Sequence, residues 1–147
     1  YAVHKWGKYL ESHIAPNLAF WRWAQTGEAT PNVPALARLT PERRALWQRA
    51  AARFEAEDIA RAKAALEKAA ARMAADLALG DWLAGSDYTL ADIALYPHVV
   101  QFGALDIAVP EAVHDWLDRV AARPAVSEVA GEMPLLATMG PELGRWG

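Results

Sequence analysis

Apolar positions along this chain recur at steps of three and four residues, the spacing of one helix face, and no stretch alternates β-branched with polar residues as a strand would. Over residues 2–25, Val3, Trp6, Leu10, Ile14 and Leu18 form one stripe, with Ser12, Ala15, Pro16, Ala19 and Trp23 on a neighbouring face. Pro16 lacks an N–H and should bend this helix near its middle. Gly27 is a terminator, and residues 26–39, with Pro31, Asn32 and Pro34, read as an extended connection. Thr40-Pro41-Glu42 opens the next helix with a Thr cap, a first-position Pro and an early acid. A break is expected near Ala52–Asp58. A long helix then runs to about Leu79 on Ile59, Leu66, Ala70, Met73 and Leu77, and Gly80 ends it. Helix Leu90–Phe102 follows. Pro110 opens another helix bearing Val113, Trp116, Leu117 and Val120, which must stop at Arg123 because Pro124 disfavours helix before it. A short last helix spans about Ala125–Ala130. The pattern predicts an all-α bundle of five to seven helices over residues 1–130, with 131–147 an irregular tail packed on it.

Among eight Ser and Thr residues, only Thr89 has an acid three places on, and that acid is Asp92. This is the spacing of a capping box: the hydroxyl accepts from a first-turn N–H while the carboxylate reaches back to the cap's own N–H. Tyr88 and Ile93 then stand where a hydrophobic staple would form. Leu90, Ile93, Ala94, Pro97 and Val100 make the run nearly apolar all round, so this central helix is expected to be buried on most sides. A buried helix start must satisfy its own N–H groups, which gives Thr89 and Asp92 a structural role.

Composition narrows the classes. The 147 residues are 54% hydrophobic and carry a net charge of −3 without a basic block, which argues against nucleic acid as a partner. No apolar run approaches the roughly 20 residues that span a bilayer, so no membrane segment is expected. There is no cysteine, hence no thiol nucleophile, disulfide or thiolate metal ligand in the chain. His4, His13, His98 and His114 lack ligand spacing, so no metal site is expected. Ser86 in Ala-Gly-Ser-Asp lacks the second Gly of a nucleophile elbow. The Arg43–Arg53 cluster and the Glu57, Arg61, Lys63, Glu67 and Lys68 charges read as solvated faces. Trp6, Trp47, Trp82 and Trp116 read as packing residues, and Trp23 divides evenly between pocket and core.

Three features together resemble the C-terminal helical domain of cytosolic glutathione transferases. They are Trp82-Leu83-Ala84-Gly85 leading to Tyr88-Thr89-Leu90-Ala91-Asp92-Ile93; Trp116-Leu117-Asp118-Arg119-Val120 leading to Ala122-Arg123-Pro124-Ala125-Val126; and Trp6, Tyr9 and Pro16 on the opening helix. The long connection after that helix also resembles bacterial members with extended insertions, the β-aryl-ether-cleaving etherases among them. The resemblance implies a cytoplasmic homodimer in which a thioredoxin-like domain, absent from this chain, binds glutathione and activates its thiol. This chain would then contribute no catalytic residue. It would hold a hydrophobic electrophile on the face bearing Ser12, Ala15, Pro16, Ala19 and Trp23, beside the glutathione co-substrate. The family's functional His, where present, aligns with Ala15, and His13 points elsewhere on a helix. Lys5 and Lys8 read either as groups approaching a glutathione carboxylate or partner subunit, or as solvated lysines. Two other classes fit the composition: a non-catalytic transferase-like scaffold for protein–protein interaction, and the ligand-binding helical domain of a transcription regulator.

Overall fold

A computed structural model describes residues 1–26, 40–41 and 55–130. In chain order these hold α1 (Ala2–Tyr9), a π-helical segment (Leu10–Ile14), α2 (Ala15–Thr26), α3 (Ala56–Leu77), α4 (Leu90–Val99), a 3-10 turn (Gly103–Leu105), α5 (Glu111–Ala121) and α6 (Pro124–Ala130). The described residues are all-α, as expected. The second-helix residues 42–54, the connection 27–39 and the tail 131–147 lie outside them, and with these the Arg43–Arg53 cluster, Trp47 and Trp146.

The opening helix is not uniform, and its sequence explains why. Trp6, Leu10, Ile14 and Leu18 follow at three steps of four, and each step advances about 40° around a regular α-helix, so the stripe drifts by about 120°. The wider π turn takes up this drift: the Ala15 N–H donates to Leu10 O, five residues back. As a result Trp6, Ile14, Leu18 and Trp21 are all buried in one core. The expected effect of Pro16 therefore appears as a π segment immediately before it rather than as a simple bend. Pro16 offers no N–H to the preceding turn, and the Asn17 side chain donates instead to His13 O at 2.6 Å.

Helix α3 packs against α2 on one side and α5 on the other, and α1 packs against α4. Its buried positions Ala62, Leu66, Ala69, Ala70, Met73 and Leu77 fall at helical spacing, and the three alanines allow close approach. Glu55 caps it, its N–H reaching the Asp58 carboxylate at 3.4 Å. This second box uses Glu in place of Ser or Thr, so a search for hydroxyl caps does not find it. Trp21, which the stripe reading left unplaced, ties α2 to the 3-10 turn by donating to Leu105 O at 2.7 Å. Lys63 meets Asp106 of the same turn at 2.8 Å. That pairing lowers the carboxyl pKa of Asp106 and raises the ammonium pKa of Lys63.

The loop between α3 and α4 is built on two glycines. Trp82 and Gly85 exchange both backbone hydrogen bonds at 3.0 Å, with Gly85 at φ 128°, a region that favours glycine. A Cβ on Gly80 would stand 2.7 Å from Gly85 O. Asp92 joins this loop to the bundle from a fully buried position. Its Oδ2 accepts from the Thr89 N–H at 2.9 Å and the Thr89 hydroxyl at 3.1 Å; its Oδ1 accepts from the Leu83 N–H at 3.1 Å and the Trp116 indole at 2.9 Å. The Thr89 hydroxyl in turn accepts from the Ala91 N–H at 3.2 Å. Beside this network the Arg123 guanidinium lies 3.7 Å from the Tyr88 ring centroid, and Tyr88 meets Trp82 edge-on at 4.9 Å.

Five expectations are corrected here. Helix α4 ends at Val99 rather than Phe102, where Pro97, unable to donate, is followed by turns closed by Phe102 N–H to Val99 O. Nor is it buried on most sides: Leu90 is 70% and Ile93 50% exposed, and the buried face is Ala91, Asp92, Leu95 and Val99. The staple partner Ile93 is thus half in solvent, while Tyr88 packs on Trp82 and Arg123. Pro110 caps α5 instead of opening it, and Pro124 itself begins α6. Trp6 and Trp116 are fully buried, and Trp82 packs half-buried against the core, as packing residues should.

Replacing Asp92 by Ala leaves the buried Trp116 and Leu83 N–H groups without their acceptor and should cost about 3–5 kcal/mol in urea unfolding. A loss under about 1 kcal/mol would contradict the network. Gly80→Ala should destabilise by about 1–3 kcal/mol through its clash with Gly85 O. Gly7→Ala meets open space in α1 and should be neutral or stabilising by up to about 1 kcal/mol. Equal effects at the two positions, read from thermal midpoints, would refute the assignment of Gly80 to a close approach.

Candidate functional site

The face expected to hold a ligand comes from the π segment and α2. Ser12, Pro16 and Ala19 are exposed and Ala15 is half-buried. Pro16 and Ala19 are three apart on α2 and so project on one side of it, with Trp23 the next position along that line. The Trp23 side chain lies outside the described residues. The face points away from the core formed by Ile14, Leu18 and Trp21, so packing leaves it open.

Pro16 also borders a cleft of about 390 Å³ between α2 and α3, lined by Pro16, Asn17, Phe20, Asp58, Arg61 and Ala62. Five of these six residues were not among the sequence candidates. Phe20 follows Pro16 at the four-residue step that would place it nearby, but Asp58, Arg61 and Ala62 come from a helix about forty positions on, and no local pattern joins them. Arg61 does carry the charged face expected of it, with contacts to Glu57 at 3.3 Å and Asp58 at 3.4 Å. Arg61 and Glu57 stand mostly in solvent and Asp58 partly so, and such pairs are weakly held.

The other sequence candidates fall into structural roles. Lys5 pairs with Asp76, which also accepts from the Trp6 indole at 3.0 Å. Lys8 bonds Glu11 at 2.9 Å and thereby lowers the Glu11 carboxyl pKa. His13 is exposed with its ring 4.6 Å from that of Tyr9, on whose face the Arg72 guanidinium also rests at 4.6 Å. His98 is half-buried with Nδ1 3.2 Å from Ala94 O. Burial raises the hydroxyl pKa of Tyr96, which is therefore a neutral phenol at pH 7. Among the described residues no group of three or more His, Asp or Glu converges as a metal site, and no helix is long and apolar enough to cross a membrane.

Comparison with known proteins agrees with this architecture. The sequence profile of the family described as the glutathione S-transferase C-terminal domain matches residues 43–124. The disulfide-bond oxidoreductase YfcG of Escherichia coli strain K12 is 38% identical over 63 residues, which cover 42% of this chain and 27% of that protein. The crystal structure of the β-etherase LigF from Sphingobium sp. strain SYK-6 has the same fold, with a TM-score of 0.67 at 23% identity over 90% of this chain and 61% of that one. The matched segments thus span about a quarter and three-fifths of the two relatives. Because the family match covers more than half of the 147 residues, the chain belongs to the glutathione S-transferases and carries their C-terminal helical domain.

Proposed function

We propose that this chain is the electrophile-holding and dimerising part of a glutathione S-transferase that acts in the cytoplasm. In the full enzyme the glutathione thiolate attacks a hydrophobic electrophile. The observation that carries this reading is the outward face of the π segment and α2, where Ser12, Pro16 and Ala19 are exposed while Ile14, Leu18 and Trp21 pack into the core. Thiolate attack needs a lowered thiol pKa and an oriented electrophile. A chain without cysteine, in a family whose thioredoxin-like half binds glutathione, is assigned the second task only.

On this reading Ser12, Ala15, Pro16, Ala19 and Trp23 form the wall against which the electrophile sheds water. Small residues at Ala15 and Ala19 leave room for it, and the rigid Pro16 ring gives a flat apolar contact. Asp92 and Thr89 act on this wall only through the fold. Glutathione is held mainly by the thioredoxin-like half, so no residue of this chain is assigned to it. The exposed Leu90 and Ile93 side chains suit burial against such a half or a second subunit.

The chain alone should conjugate nothing. Joined to its thioredoxin-like half it should bind glutathione and add it to hydrophobic electrophiles such as chlorodinitrobenzene. Ala19→Trp, at an exposed position, should leave the thermal midpoint unchanged and raise the electrophile KM by about tenfold, the equivalent of about 1.4 kcal/mol. Inactivity across electrophiles with glutathione unbound would favour the non-catalytic scaffold instead.

A further inference from the structure

We propose that Asn17 is a positioning residue for the electrophile wall: its side chain braces the junction between the π segment and α2, and so sets where Ser12 stands relative to Pro16 and Ala19. This rests on reading that face as the wall. The wall is made in two pieces. Ser12 belongs to the π segment, whereas Ala15, Pro16 and Ala19 belong to α2. The core grips each piece from inside, through Ile14 on one side of the junction and Leu18 and Trp21 on the other. The turn between the pieces decides how their outer faces line up, so a small change there moves Ser12 against Pro16 while the core contacts persist. Single π turns within α-helices are frequent at functional sites.

Asn17 spans that turn. Its Nδ2 donates to His13 O at 2.6 Å, from the first turn of α2 back to the π segment. A carbonyl only accepts, which fixes the amide with its nitrogen toward His13. Pro16, the residue before, has no N–H to give to the preceding turn. Asn is a poor residue inside a helix because its side chain competes for backbone groups. Here that competition falls on a carbonyl four residues back, beside the wide turn closed by the Ala15 N–H and Leu10 O. The residue that offers this carbonyl is also held from its other side. The His13 ring packs on Tyr9, the last residue of α1, at 4.6 Å, and the Arg72 guanidinium of α3 rests on the Tyr9 ring. Alanine at position 17 would lose the bond but gain helix propensity, so global stability should hardly register the change.

The test compares Asn17→Ala with Asn17→Ser, whose hydroxyl can still donate to the carbonyl four residues back. In the 147-residue chain, amide hydrogen exchange of Ala15 should quicken about fivefold in N17A, the effect of losing one neutral hydrogen bond, and stay within about twofold in N17S. The Met73 amide of α3 should be unmoved in both variants, and the thermal midpoints should agree within about 3 °C. In the full-length enzyme, N17A should raise the electrophile KM about fivefold with the glutathione KM unchanged, and N17S should restore it. Unchanged Ala15 exchange in N17A, equal acceleration at Met73, or no recovery in N17S would each overturn the proposal. So would an unaltered electrophile KM in an enzyme that conjugates, an outcome that leaves the transferase reading intact. No conjugation by the unaltered enzyme, with Ala15 exchange still governed by Asn17, removes the transferase reading and its wall while the brace stands.

Discussion

The structure depends on one buried carboxylate. Asp92 accepts hydrogen bonds from Thr89, Leu83 and Trp116, and so joins the start of α4, the glycine-built loop before it and the middle of α5. The Leu83 and Trp116 donors would otherwise be buried N–H groups without a partner, and the Thr89 donors are half-buried beside them. Its neighbours tighten the same junction: Arg119 donates to Asp81 O at 3.0 Å, and Arg123 covers the Tyr88 ring. Two of the three sequence features that carry the family resemblance therefore meet in space at Asp92 and Tyr88. What looks like two motifs is one joint.

The second constraint is the π segment of the opening helix. It rotates the later half of that helix so that Trp6, Ile14, Leu18 and Trp21 share the core, and by the same rotation it turns Pro16 and Ala19 outward. The position of the candidate site follows from this choice of core face. Without the wider turn, the stripe would wind off the core and the candidate face would wind with it. Trp21 of α2 and Lys63 of α3 then both reach the 3-10 turn, at Leu105 O and Asp106, and so tie the two helices that border the cleft to one anchor.

Much of this was legible in the sequence, for local reasons. The capping pair, the helix ends within three residues of Gly80 and two of Arg123, and the apolar faces of α3 and α5 are set by neighbours within a turn or two. The partners that matter most are not local. Trp116 reaches Asp92 across 24 positions, and Trp21 reaches Leu105 across 84. The burial of α4 was misread because a helix apolar all round does not declare which face is inward. Leu90 and Ile93 were consistent with a core and lie at the surface. The site divides the same way. Pro16 and Ala19 could be placed on one face by spacing, whereas Asn17, Phe20, Asp58, Arg61 and Ala62 line one cleft only once α2 lies against α3. The drift of the four-residue steps was present in the sequence as a signal for the π turn. Pro16 alone implies only a bend.

The central claim is that the Asp92 joint holds until the whole domain unfolds. Native-state hydrogen exchange of the Leu83 amide and the Trp116 indole N–H tests it most directly. Both should exchange among the slowest protons of the chain, with an opening free energy equal to that of global unfolding and the same denaturant dependence. Exchange of either proton through a local opening well below the global value, insensitive to denaturant, would show that the loop and α5 separate independently and that the joint does not organise the fold.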